Sequence, residues 1–245
     1  KKEKVNYSFD ILFALPTQRL TDLVDDLKRA LDFEPHHVSP YCLTVPEGHP
    51  MSKARAPENE QIEMFHLLEE GLEQAGIMRY EISNFAKPGM ESKHNLIYWT
   101  DQEYWGLGLS AHSYLHQGSW GTRFWNPPRM PEYERQIFQQ HPNNEIKSFL
   151  TDDQFEQLER HQAMTDFCHT ALRIETGLSL AALRLKFGDS HAAAVEARLG
   201  LLAQKQLVFK NGERAVLTQS GRMLSNQVFV YFSFLRDELP MIHNL

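Results

Sequence analysis

Three apolar strand-like segments separated by two amphipathic helical segments fill the first third of the chain, and this alternation restricts the fold more than any other feature. Residues Val5–Leu15 (VNYSFDILFAL) are nearly continuous in apolar and aromatic character up to Pro16. That reads as a strand covered on both faces in a parallel sheet. A helix is expected over Thr21–Phe33, with Leu20, Leu23, Val24, Leu27, Ala30 and Leu31 on one side and Asp25, Asp26, Lys28 and Arg29 on the other. A second strand follows at His37–Val45. Ile62, Phe65, Leu68, Leu72 and Ala75 then recur at helical spacing over Glu58–Ala75, and Gly76 stands where a helix end favours positive φ. Met78–Phe85 (MRYEISNF) completes a β-α-β-α-β series, the order of parallel strands joined by covering helices. Three strands are too few to close a barrel.

Within the first strand Asp10 is the exception. A carboxylate in a strand covered on both faces is costly unless it is paired, so Asp10 either caps neighbouring backbone or serves a ligand. The adjacent His36 and His37 do not share a metal ion, because successive strand residues point to opposite faces.

Glu91–Trp125 contains all four tryptophans together with glycines, His94 and His112. Large aromatics beside polar groups suit either a core or a surface for a flat ligand. Gly106-Leu-Gly-Leu-Ser-Ala111 fits the relaxed dinucleotide pattern GxGxxA, but the β-like, glycine-broken HSYLHQGSWGTRFW after it lacks the required helix. A short helix is expected over Tyr133–Gln139.

A change of composition at Gln140–Ser148 (QHPNNEIKS) marks a domain boundary, giving residues 1–140 and 141–245. Beyond it Thr151 is placed to cap a long helix reaching Arg173. Leu180–Phe187 and Ser190–Gln204 read as helices broken at Gly188, and Leu207–Leu217 reads as a hairpin around Asn211-Gly212. Helices followed by a two-stranded wing make a winged-helix-like module. The helix that would enter a DNA groove (SHAAAVEARLGLLAQ) is alanine-rich and sets Arg198 against Glu196, so a packing or lid role is favoured over DNA binding.

Composition removes further classes. A net charge of −7 argues against a broad phosphate-binding surface. No apolar run approaches the roughly 20 residues of a membrane helix, and KKEKVNYSFD has no signal-peptide core, so a cytoplasmic address is the expectation. Cys42 and Cys168 stand far apart without metal-ligand spacing and are expected to be buried thiols.

Several segments taken in order resemble the radical S-adenosylmethionine proteins related to oxygen-independent coproporphyrinogen III oxidase. FDILFALPTQ resembles the strand D-L-I-Y-G-L-P-x-Q, and HHVSPYCLTV resembles H-x-S-x-Y-x-L-T. YEISNFAKPG, KHNLIYW and YWGLGLSAHSY are similar to Y-E-x-S-N-F-A, R-H-N-x-x-Y-W and G-L-G-x-x-A-H-S, and ALRIETGLSLAAL with LTQSGRML resembles the family's accessory C-terminal domain. The S-N-F-A and H-N-x-x-Y-W forms resemble the haem-chaperone, HemW-like, branch. The fold implied is the C-terminal part of an incomplete radical SAM (βα) barrel followed by a mostly helical winged-helix-like domain.

The resemblance also implies site residues. Asp10 matches the acidic strand residue that helps hold S-adenosylmethionine, Leu43 and Tyr80 fall where the family approaches that cofactor, and His94 matches the histidine proposed for haem. Ala14 and Thr17 replace glycines of the strand-end pattern, Lys93 replaces arginine, and Pro46-Glu47 reverses the usual order. The family's C-x3-C-x2-C motif, whose thiolates bind a [4Fe–4S] cluster, has no counterpart in this sequence. The chain is therefore expected to be a C-terminal portion that is catalytically inactive by itself, with haem or porphyrin as ligand and haem-receiving respiratory proteins as partners. One alternative is an oxidase acting on coproporphyrinogen, with Arg79, Lys93 and Arg123 as the candidates to pair with propionates. Another is a winged-helix DNA-binding regulator.

Overall fold

The computed structural model describes residues 5–46, 48–138 and 150–236. The chain divides into two compact units, Lys1–Lys93 and His94–Leu245. The expected boundary at 140/141 lies outside the described residues.

In the first unit, β1 (Ser8–Phe13), α1 (Leu20–Asp32), β2 (His37–Cys42) and α2 (Glu58–Gln74) follow the expected order. β1 and β2 pair in parallel, Ser8 opposite His37 through Phe13 opposite Cys42. Both helices pack on one side, where Phe13, Leu23, Leu27, Val38, Met64, Leu68, Leu72, Ile77 and Phe85 form the core. The helices meet closely at Gly71, where a Cβ would stand 2.5 Å from Leu27 Cδ2, and α2 stops before Gly76 at φ +74°. Burying each large aliphatic residue contributes about 1.5–3 kcal/mol.

Two expectations are corrected here. The single strand expected over 78–85 is a hairpin, β3 (Met78–Glu81) and β4 (Asn84–Ala86), and the sheet order is β1-β2-β4-β3 with β4 antiparallel to β2. The reversal is held by the buried Glu81, whose carboxylate accepts from the Ser83 backbone N–H at 2.9 Å and from the Asn84 side-chain amide. β1 is also not covered on both faces. It is an edge strand in which Ser8, Asp10 and Leu12 are exposed while Phe13 reaches the core. Its apolar run reflects large side chains half-buried at an edge.

In the second unit, α3 (Lys93–Trp99), which begins at the last residue of the first, leads to β5 (His112–Leu115), β6 (Thr122–Trp125) and α4 (Met130–Phe138). β7 (Phe155–Gln157) completes the antiparallel sheet β5-β6-β7. The long helix expected from Thr151 is shorter. Thr151 instead caps a single 3-10 turn, β7 intervenes, and α5 (Arg160–Arg173) starts after Glu159, whose backbone N–H donates to Gln162 at 2.8 Å. Then come β8 (Leu178–Ser179), α6 (Leu180–Phe187), α7 (Asp189–Gln204), β9 (Val208–Asn211), β10 (Arg214–Leu217), α8 (Gln219–Met223) and α9 (Ser225–Val230). The sheet β8-β10-β9 with its helices is the expected winged-helix-like module. Its core includes Met164, Leu172, Leu183, Val195, Leu199, Leu202 and Ala215. Asn211 pairs with Arg214, so the two-residue loop is Gly212-Glu213 with glycine at positive φ, a turn that opens on glycine rather than closing on it.

Candidate functional site

The site begins with strand alternation on the helix-free face of the first sheet. Ser8, Asp10 and Leu12 of β1 lie in register with His37, Ser39 and Tyr41 of β2, and side chains of paired residues share a face. His37 and Ser39 are buried, whereas Asp10 is exposed. His37 is held on both sides: Nδ1 lies 2.8 Å from the Ser8 hydroxyl and Nε2 lies 2.9 Å from the Tyr80 hydroxyl. Burial lowers its pKa, opposed by the carboxylates of Asp10 and Glu81. A neutral imidazole between two hydroxyls donates to one and accepts from the other, so the row carries both donors and acceptors.

Of the residues expected to approach S-adenosylmethionine, Asp10 and Tyr80 are thus joined to one polar row, with His37 between them. Leu43 lies one residue beyond β2, buried, its N–H donating to the Phe13 carbonyl at 2.9 Å. The burial cost foreseen for Asp10 is absent because the strand face is open. His37 and Ser8 were missed by sequence reasoning, which weighed His37 only as half of a histidine pair. The signal was its phase with Ser39 and Tyr41.

At the end of β1 the chain turns through Ala14 at φ +56° and Thr17 at φ +63°. Ala14 is the position where the resembled pattern has glycine, and both side chains are carried in the left-handed region at a cost of roughly 1–2 kcal/mol each. The Thr17 N–H donates to the Ala54 carbonyl at 2.8 Å, and Arg55 Nε donates to the Ala14 carbonyl at 3.4 Å.

In the second unit His94 is exposed on α3, with Nε2 3.1 Å from the hydroxyl of Tyr98 one turn on. It starts a ladder of rings: His94 to Tyr98 at 4.9 Å, Tyr98 to Tyr104 at 4.4 Å, and Tyr104 to Tyr114 at 6.2 Å. Burial raises the pKa of Tyr104, and burial together with Asp101, which accepts the Tyr114 hydroxyl at 3.0 Å, raises that of Tyr114. Both rings stay neutral across the physiological range.

The tryptophans divide between packing and surface. Trp99 lies under Arg173 at 4.4 Å, and Trp120 is stacked on Phe187 at 5.6 Å with Arg160 at 4.7 Å from its ring. Trp105 is 53% exposed. Arg79 sits in a buried ion pair with Glu69 and faces Phe65 and Phe85, while Arg123 pairs with Asp166 and Glu156. Of the three cations considered for propionates, two are therefore engaged internally. Arg198 likewise donates to the Tyr231 carbonyl at 2.7 Å and lies over Phe234, and Glu196 takes Lys210.

The expectation of two buried thiols is half corrected. Cys42 is exposed, near Arg55 and Gln61, and Cys168 is buried, its pKa pushed up by desolvation. Among the described residues no group of three His, Cys, Asp or Glu side chains is disposed to hold a metal ion. An iron–sulfur cluster needs three converging thiolates, and the residues of this chain do not fit one. The polar row of the open sheet face does fit the wall of a site for a polar cofactor such as S-adenosylmethionine. No described helix is long and apolar enough to cross a membrane.

Helices on one face of an open sheet, followed by a winged-helix-like module, define the class: a segment of a (βα) barrel with an accessory helical domain. Its fold matches that of coproporphyrinogen III oxidase (HemN) from Escherichia coli, described as a radical SAM enzyme, with a TM-score of 0.69 over 92% of this chain and 54% of that one, at 16% identity. Residues 158–224 match the HemN C-terminal domain. The chain is 34% identical over 235 residues to heme chaperone HemW of Bacillus subtilis, covering 93% of this chain and 59% of that protein. It is 30% identical over 232 residues to heme chaperone HemW of Mycobacterium tuberculosis, covering 90% and 53%. Over most of its length the chain is similar to these HemN-related proteins. It spans between half and three fifths of the length of these curated relatives.

Proposed function

We propose that this chain supplies one wall of an S-adenosylmethionine site and a haem-contact surface to a haem-handling protein of the HemN-related family, acting in the cytoplasm. Asp10, Tyr80 and Leu43 belong to the cofactor wall, with His37 holding Tyr80 in place. His94 is the haem ligand. The region from 141 onward is the accessory domain, and haem-receiving respiratory proteins are the partners of the whole protein. S-adenosylmethionine and a [4Fe–4S] cluster together would supply a radical initiator; the residues of this chain bind and orient the cofactor's polar part and hold no cluster.

The observation that carries the haem reading is the exposed His94 imidazole at the head of a ladder of tyrosine rings. The His94 imidazole would bind the haem iron, and the ring ladder would offer apolar contact to the macrocycle. The oxidase reading needs free cations for several propionates. Arg79 and Arg123 are already paired, which favours the chaperone reading. Titration of this chain with haemin, followed by the Soret band, is the test. A shifted Soret band is expected for the wild type, and His94→Ala should weaken binding about tenfold, the loss of roughly one ligand bond's net contribution. Equal binding by both removes His94 as ligand.

A further inference from the structure

The GLGLSA loop, which sequence reasoning set aside as a false nucleotide motif, is an exposed apolar loop fixed in place. Leu107 is 82% exposed, and Trp105 and Leu109 are exposed beside it. Several hydrogen bonds brace the loop. The Asn126 amide donates to the Gly106 carbonyl at 3.1 Å and the Gly108 carbonyl at 2.9 Å, the Gly108 N–H donates to the Tyr133 hydroxyl at 2.9 Å, and the Ser110 N–H donates to the Pro127 carbonyl at 3.2 Å. Gly108 at φ +98° permits the turn, and at Gly106 a Cβ would lie 2.3 Å from the His112 carbonyl. Apolar side chains held rigidly in water bind without an ordering cost.

The segments that brace this loop also wall a cleft of about 450 Å³, lined by Trp125, Pro127, Pro128, Arg129 and Arg135 and by two carboxylates, Glu132 and Asp153, the latter taking the Thr151 hydroxyl. Its charges are unequally engaged. Arg129 pairs with Glu132. Arg135, alone among the described arginines of the second unit, makes no ion pair, hydrogen bond or ring contact, whereas Arg123, Arg184, Arg222 and Arg236 each have a carboxylate partner. A guanidinium without a partner beside an indole and two prolines suits a carboxylate carried on an apolar ring.

Resting on the haem reading, we infer that this cleft and the adjoining loop form a subsite for a planar apolar ligand bearing a carboxylate, with Arg135 taking the carboxylate and Trp125 and Leu107 giving the ring its apolar contact. The volume admits one edge of a tetrapyrrole, the edge that carries a propionate. The test is fluorescence and Soret titration of the chain with protoporphyrin IX and with its dimethyl ester. Arg135→Gln should weaken the free acid about tenfold and Arg135→Lys by less, since a charge-assisted bidentate contact is replaced by a neutral or single-point one. The ester should be indifferent to position 135, and Leu107→Ser should weaken both ligands. Unchanged affinity of Arg135→Gln for the free acid overturns the subsite. If haemin binding responds to His94→Ala and not to Arg135→Gln, the subsite alone fails. If the wild-type chain binds no porphyrin, the haem reading fails and the subsite with it.

Discussion

At the scale of the residue, the most consequential side chain is His37, buried between the Ser8 and Tyr80 hydroxyls. Its pKa is lowered in the fold by burial, so the unfolded chain binds a proton that the folded chain refuses once the pH drops below about 6.5, the ordinary histidine value. Its contribution to stability is therefore fully present above that pH and declines below it, until the depressed folded pKa is passed. His169, half-buried with its Nε2–H donating to the Phe229 carbonyl at 2.8 Å, also has a pKa lowered by burial and acts in the same direction. Urea unfolding at a series of pH values should show stability falling as pH drops from 7 to 5, with a slope of at most about 1.4 kcal/mol per pH unit for each such histidine. His37→Gln should flatten the slope; an unchanged slope would remove His37 as its source. At this scale the sequence was partly legible. Asp10 and Tyr80 were singled out because they sit in motifs, whereas the hydrogen bonds of His37 reach two hydroxyls that are 29 and 43 positions away.

At the scale of the element, helices were more legible than strands. α1, α2, α6 and α7 lie where apolar spacing and the glycines at 76 and 188 put them, because a helix is written by neighbours three and four apart. The β3–β4 hairpin was not legible, since MRYEISNF carries no glycine or proline at its turn. The reversal rests on the Glu81 carboxylate gripping Ser83 and Asn84, a side-chain device that strand periodicity does not report. Thr151 had the right residue type for a cap but was followed by only one turn, because Phe155–Gln157 pairs with β6 instead. Close packing of elements gives a sharper test. In α8 a Cβ on Gly221 would stand 1.8 Å from the Leu207 carbonyl oxygen. Gly221→Ala should destabilise the second unit by about 1–3 kcal/mol through overpacking, read as a lowered urea midpoint with little change in slope. A wild-type midpoint would show that α8 shifts freely on the hairpin.

At the scale of the whole molecule, the first sheet is open. In the order β1-β2-β4-β3 both outer strands lack a second partner among the described residues, and the helix-free face exposes Leu12 and Met78, at 46% and 47%. Unpaired strand edges beside apolar surface drive association. Light scattering should show concentration-dependent self-association of this chain, reduced by Leu12→Lys; a constant monomer mass across concentrations would refute it. The same openness agrees with a chain that spans about half of the HemN chain it matches. By itself the sequence determined the positions of α1, α2, α6 and α7, the lack of three cluster-binding thiolates in this chain, and the resemblance to the HemN-related proteins, because these depend on local periodicity, residue chemistry and motif order. Only the tertiary structure decided that Asp10 faces solvent, that Arg79 and Arg123 are engaged while Arg135 is not, and that the GLGLSA loop stands exposed. Those outcomes depend on which distant carboxylates, hydroxyls and carbonyls the fold brings within hydrogen-bond reach, and distance in space is not written in spacing along the chain.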